Sequence, residues 1–145
     1  IRDLVRSRGL GDVYKRQGQS MTVKGAATLT ANILLGRPYW VQLLIVGVDD
    51  SGPSVYSIDG AGGSIPDVYC ATGSGSPYMY GVLEDGFREG MNKNDAIKLA
   101  ARALLASGQR DAASGNGMDL AYITQSEGFV LLSNDEVDKI IASLK

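Results

Sequence analysis

Apolar positions recur along the chain first at helical spacing, then in alternating runs, then at helical spacing again. In "SMTVKGAATLTANILLG", Val23, Ala26, Ala27, Ile33 and Leu34 share a side of a 3.6-residue helix, with Ser20 as its cap and Gly36 as its stop before Pro38. "WVQLLIVGVDD" and "PSVYSID" are β-rich runs separated by Asp49-Asp50-Ser51-Gly52, a turn composition that predicts a hairpin. "DVYCAT" reads as a third short strand. Gly73-Ser74-Gly75-Ser76-Pro77 then opens a helix through Tyr78, Val82, Leu83 and Phe87, with Gly86 and Gly90 marking its end.

A further helix begins at Asn92, whose side chain can accept first-turn amides, while Asp95 suits the positive end of the helix dipole. Ile97, Ala100, Ala101, Leu104 and Leu105 form its apolar stripe. After "QRDAASGNGMD", the runs "MDLAYIT" and "GFVLLS" predict a hairpin around Gln125-Ser126-Glu127-Gly128. In "SNDEVDKIIASLK", Ser133 and Glu136 have capping-box spacing ahead of Val137, Ile140, Ile141 and Leu144. The order is helix, three strands, two helices, two strands, helix. Hairpins mixed with helix pairs predict an α+β layer fold rather than alternating βαβ units.

Composition narrows the chemistry. A chain of 145 residues that is 44% hydrophobic can bury a core and is expected to be one globular unit. A net charge of −2 gives no general attraction to nucleic acid or to an anionic membrane, and no apolar run reaches the roughly 20 residues of a transmembrane helix. The single cysteine, Cys70, excludes an internal disulfide, and with no signal-peptide pattern a cytoplasmic location is expected. Histidine is absent, which excludes Ser-His-Asp and Cys-His sites. Acid–base chemistry must therefore use a carboxylate, a lysine, a tyrosine or a terminal amine.

Charge is uneven. Residues 1–16, "IRDLVRSRGLGDVYKR", carry five basic and two acidic side chains, against nine and fourteen in the rest. A basic arm for nucleic acid or an amphipathic tail is one reading. "GDVYKRQ" favours another, in which residues 1–19 are a leader foreign to the fold and residues 20–145 form a partial domain of a truncated product.

The glycine-rich turns are not expected to form a nucleotide site. Gly73-Ser74-Gly75 leads to Tyr78 and Gly60-Ala61-Gly62 to Ile65, where a dinucleotide fingerprint needs a third glycine, and no GxxxxGK[ST] occurs. Without the resemblance described next, "GSGS" reads equally as a tight turn with serine caps. Asp49 and Asp50 read as solvated turn acids rather than metal ligands, and Tyr69, Tyr78 and Tyr80 as packing residues.

Two serine-glycine turns and one carboxylate among small residues, in a chain without histidine, fit a hydrolase whose base is an N-terminal amine. "YSIDGAGGSI", "ATGSGSPYMYGVLED" and "QRDAASGNGMD", in this order after "ATLTANILL" and "VQLLIVGVDD", closely resemble the proteasome β-subunits, most like the archaeal type. The likeness runs over residues 20–145. It implies the αββα four-layer sandwich of the N-terminal-nucleophile hydrolases, here truncated at the N-terminus and lacking strands from both sheets. It implies a threonine-type endopeptidase that degrades unfolded polypeptide inside a barrel of stacked seven-membered rings, with β- and α-subunits as partners. No metal, organic cofactor, nucleic acid or membrane is implied.

In that family a threonine freed by propeptide cleavage is the nucleophile through its hydroxyl and the base through its α-amine, which titrates near 7.7 to 8.0. By the family pattern Ser74 offers its hydroxyl to that amine, and Asp111 and Ser114 hold the threonine and its water network. Asp59 matches a position that shapes the substrate pocket of the adjoining subunit. Ala112 departs from the family, which commonly has serine there. The resemblance further implies that helices near 74–89 and 92–109 face the second β-ring and that the helix near 20–35 faces an α-ring. The nucleophile's own segment would precede residue 20, and Thr22, Thr28, Thr30, Thr72 and Thr124 are internal, so the chain alone is expected to be catalytically silent. The alternative from another class is a β-type subunit that only builds the ring.

Overall fold

The computed structural model describes residues 21–37, 39–115 and 117–144; the leader expected over residues 1–19 lies outside them. The element order is that read from the sequence: α1 (Val23–Gly36), β1 (Leu43–Asp49), β2 (Gly52–Ile58), β3 (Ser64–Asp67), α2 (Ser76–Gly86), α3 (Lys93–Arg110), β4 (Ala121–Thr124), β5 (Gly128–Leu131) and α4 (Asn134–Ser143). The fold is α+β with small antiparallel sheets, and the chain divides into two compact units at Cys70/Ala71.

In the first unit α1 begins at its first buried residue, Val23. Thr22 is the cap, its hydroxyl accepting the Gly25 N–H at 3.0 Å, and Ser20, expected in that role, lies outside the described residues. A cap works on the amides two or three residues ahead, and the apolar stripe starts at Val23, so the residue next to it takes the role. The buried stripe is Val23, Ala27, Ala31 and Leu34, while Ile33, about 100° around the helix from Leu34, is half exposed. This stripe packs on Ile58, with Ile45 and Tyr56 beside it.

The sheet order is β1-β2-β3, with Val46 opposite Val55 and Tyr56 opposite Pro66. The third strand lies earlier than "DVYCAT" suggests. Asp59 closes a tight turn that returns the chain at Ser64, and the ladder ends at Asp67, whose carboxylate takes the Val68 N–H at 2.7 Å. The next β2 residues in register are Ser54 and Pro53, and proline has no N–H to extend the pairing. Pro66 is tolerated because β3 ends the sheet. Asp49 is not a free turn acid. Its Oδ2 accepts the Val23 N–H at 2.8 Å and its Oδ1 the Ser51 N–H at 2.8 Å, so it caps α1 across the fold, and these bonds hold its carboxyl below the usual range.

In the second unit α3 is a two-sided helix. Leu99, Ala103 and Ser107 form one buried line at i, i+4, i+8, and Leu99 lies against Gly86 of α2 while Ser107 lies against Gly75. Ala101, flanked by Ile97 and Leu104, packs on Leu120 and on Val137 of α4. The sequence stripe captured only that second side, and Ala100, placed on it, is exposed. Asn92 caps α3 by accepting the Asp95 N–H at 3.0 Å. At α4 the Glu136 carboxylate accepts the backbone N–H of Ser133 at 2.8 Å, as the capping-box spacing predicts, and also takes the Ser133 hydroxyl at 2.6 Å. The β4–β5 hairpin pairs Tyr122 with Val130 and Ile123 with Phe129.

Candidate active site

The second unit gathers three of the four residues singled out from the sequence. Ser74 stands in the turn closed by the Ser76 N–H on the Gly73 carbonyl, just before α2. It does not cap that helix. Its hydroxyl instead donates to Asp111 Oδ2 at 2.6 Å, and the cap position is Gly75, without a side-chain bond. Asp111 ends α3, where its N–H still reaches the Ser107 carbonyl at 2.8 Å. The chain then turns back on itself, the Ser114 N–H meeting the Asp111 carbonyl at 3.1 Å. That turn brings the Ser114 hydroxyl to Asp111 Oδ2 at 2.7 Å, while the Ala113 N–H reaches Oδ1 at 3.2 Å.

Asp111 is thus surrounded by donors. The Ser74 hydroxyl first, then the Ser114 hydroxyl and the Ala113 amide, stabilise the anion and hold its carboxyl below the usual carboxylate range. Among the described residues no lysine or arginine pairs with it. The bonds are short, as charge-assisted O–H···O⁻ contacts are. Because the Ser74 proton is directed at Asp111, the lone pairs of its oxygen are left for a donor from outside. The arrangement is a fixed negative charge with an adjoining acceptor, partly open to solvent, which suits an ammonium group.

Two members of this site were not singled out from the sequence. Ser107, only 4% exposed, places its hydroxyl 2.9 Å from that of Ser114. Gly75 is buried against both hydroxyls, and a Cβ there would overlap Ser107 Oγ and crowd Ser114 Oγ. A signal for Ser107 existed: it is the polar member of the Leu99–Ala103–Ser107 line and sits one turn before Asp111. An open cleft of about 360 Å³ flanks the cluster, lined by Leu104, Ser107, Ser114, Met118 and Ile141 among others.

Asp59 belongs to the first unit. Its Oδ1 accepts the N–H groups of Ala61 and Gly63 at 2.9 and 2.8 Å, so that oxygen organises the turn between β2 and β3. Among the described residues no cluster of three or more carboxylate or thiol side chains could hold a metal ion, and no helix is long and apolar enough to cross a membrane.

The Proteasome subunit family matches residues 10–123 of this chain. A proteasome subunit beta of Methanohalophilus mahii is 49% identical over 138 residues, covering 92% of this chain and 65% of the relative. That of Methanosarcina barkeri is 50% identical over 137 residues, 91% of this chain and 64% of the relative. That of Thermoplasma acidophilum is 44% identical over 137 residues, 92% and 64%. The chain belongs to the proteasome subunit family, and it spans just under two thirds of the length of these relatives.

Proposed function

We propose that residues 71–144 carry the charge-stabilising half of a threonine-type endopeptidase site in a proteasome β-subunit. The observation that carries this reading is the convergence of Ser74 and Ser114 on one carboxylate oxygen of Asp111, with no cationic side chain in place among the described residues. An N-terminal threonine would bring the missing cation. Its hydroxyl oxygen bonds to the scissile carbonyl carbon while its proton passes to the threonine's own α-amine. The resulting ammonium donates to the free lone pair of Ser74 Oγ and lies in the field of Asp111, and its proton then passes to the leaving amine as the C–N bond breaks. Water cleaves the ester and restores the hydroxyl. Preorganised charge of this kind acts on the state in which charge develops.

The same reading includes the αββα sandwich. In the first sheet α1 covers the face bearing Ile45, Tyr56 and Ile58, and the opposite face bears Val46 and Ile65, 56% and 61% exposed. In the second, Leu120 and Leu132 lie toward the α3/α4 core, and the opposite face bears Phe129 and Leu131, 67% and 61% exposed. Two helix-backed sheets, each with a bare apolar face, support the four-layer reading. Exposed Tyr78 and Tyr80 on α2 support a ring-to-ring contact through α2 and α3, in a barrel built with other β- and α-subunits around unfolded polypeptide. Asp59 would contribute to a neighbour's substrate pocket through the turn it holds.

A chimera tests the reading: residues 20–145 replace the matching part of the Thermoplasma acidophilum subunit, co-expressed with its α-subunit. Hydrolysis of fluorogenic peptides and labelling by an epoxyketone probe are expected. Assembled particles without either activity would favour a β-type subunit that only builds the ring.

A further inference from the structure

We infer that Ser107 is a positioning residue, which sets the direction of the hydroxyl chain ending at Asp111 and so keeps the Ser74 oxygen available as an acceptor. The inference rests on the peptidase reading for its effect on rate, but not for the hydrogen-bond order itself. Asp111 is ionised at neutral pH and its Oδ2 can only accept, so the Ser114 proton, 2.7 Å away, points at Oδ2. A hydroxyl has one proton. The 2.9 Å contact between Ser107 and Ser114 must then run from Ser107 to Ser114. Among the described residues Ser114 Oγ is the acceptor that the Ser107 hydroxyl meets, and burial to 4% exposure keeps bulk water from competing.

The order is therefore Ser107 to Ser114 to Asp111, with Ser74 donating from the other side. Each donated bond polarises the next, so Ser107 makes Ser114 a stronger donor to the carboxylate. It also fixes the Ser114 rotamer, since a hydroxyl bonded at both ends cannot swing to the cleft side. Gly75 completes the arrangement: a side chain at that position would drive the two hydroxyls apart. Without Ser107 the Ser114 hydroxyl is free to turn toward the cleft that both serines line. Asp111 then draws more on Ser74, and the acceptor geometry at Ser74 loosens.

Two measurements on the chimeric particle decide this. Neutron diffraction from deuterium-exchanged crystals of the unsubstituted protein should place the Ser107 deuteron on the line to Ser114 Oγ and the Ser114 deuteron on the line to Asp111 Oδ2. A Ser114 deuteron pointing at Ser107, or a Ser107 deuteron pointing elsewhere, would overturn the relay. This readout needs neither activity nor a variant that folds. Ser107→Ala, which suits a helix interior, should lower kcat by about two- to tenfold, the size of one neutral hydrogen bond, with KM unchanged. An unchanged kcat, or an effect confined to KM, would refute the positioning role. If the unsubstituted chimera is itself inactive, the peptidase reading fails while the deuteron positions still settle the relay.

Discussion

Asp59 and Asp111 are the same residue type in nearly the same local setting, each following a regular element and each overlaid by a glycine. A Cβ on Gly63 would overlap the Asp59 carboxylate, as one on Gly75 would overlap the hydroxyls around Asp111. What donates to them differs. Asp59 takes the N–H groups of Ala61 and Gly63, two and four residues ahead. Asp111 takes one such amide, from Ala113, but its other oxygen is held by Ser74, 37 residues away, and by Ser114. A carboxylate bonded by neighbouring amides stabilises the turn that presents those amides. One bonded by side-chain hydroxyls from separate elements has a position set by the tertiary fold and a proton order that can be changed without unfolding a turn. The first is a fold device, and the second can do chemistry.

The largest effect should separate the two carboxylates by activity. In the chimeric particle Asp111→Asn keeps the shape but removes the charge, and peptidase turnover is expected to fall by one to several orders of magnitude, with Ser74→Ala costing less. Asp59→Asn should leave turnover within a few-fold and cost roughly 1 kcal/mol of stability through weaker turn bonds. Rates and thermal unfolding on both variants check this. Near-normal turnover in Asp111→Asn would erase the contrast.

The glycines sharpen it. Gly75→Ala forces a methyl among hydroxyls packed between α2 and α3, which should cost about 1–3 kcal/mol as overpacking and also lower turnover by displacing Ser114. Gly63→Ala should perturb only the β2–β3 turn, because Asp59 is exposed and its end can shift. Melting temperatures with peptidase rates distinguish the outcomes: two coupled losses at position 75, and a stability loss alone at position 63.

Much of this was readable in the sequence, and the misses share a cause. Hairpins, helix order and the caps Asn92 and Ser133/Glu136 follow from local pattern, because turn chemistry and capping act within a few residues. Ser74, Asp111 and Ser114 were legible through the motifs that resemble the family. Ser107, Gly75 and the capping of α1 by Asp49 were not singled out, since each depends on which segment folds back against which. The shift of the third strand to Ser64–Asp67 has the same origin: where pairing stops is decided by Pro53 on the partner strand, not by the β-rich composition of residues 67–72.

The pH response should also differ between the units. Asp49, Asp111, Glu127 and Glu136 all have carboxyls held below their usual range by hydrogen bonds. A depressed carboxyl stabilises the fold above its unfolded titration point, and the contribution is lost as pH falls through the folded one. One of these four lies in the first unit and three in the second. Amide hydrogen exchange on the full chain between pH 6 and pH 3, corrected for intrinsic rates, should show the second unit losing protection over a wider set of segments. In the first unit the acid-sensitive segment should be the start of α1.

The smallest effect concerns the link between α3 and the β4–β5 hairpin. Lys93 Nζ lies 2.9 Å from Glu127 Oε2 and 4.1 Å from the centre of the Tyr122 ring, while the Tyr122 hydroxyl donates to Glu127 Oε1 at 2.9 Å. The bond to Lys93 is the main cause of the lowered Glu127 carboxyl, and the bond to Glu127 the main cause of the raised Lys93 ammonium. The Lys93 contribution is present below its ordinary titration point and lost as pH rises through the raised one. The Glu127 contribution is present above its ordinary point and lost as pH falls through the lowered one. The link is therefore complete only from about pH 5 to pH 10. Both side chains are some 40% exposed, so solvent and salt screen the pair and its weight in global stability is small. Glu127→Gln should lower the melting temperature less than either glycine substitution, and mainly at low ionic strength. The hairpin amides should nevertheless exchange measurably faster, because the same carboxylate also accepts from Thr124 and the hairpin turn loses its tie to α3. Equal loss of protection across α3 and α4 would show instead that Glu127 supports the whole unit, and the hairpin would no longer be a separately tethered part of it.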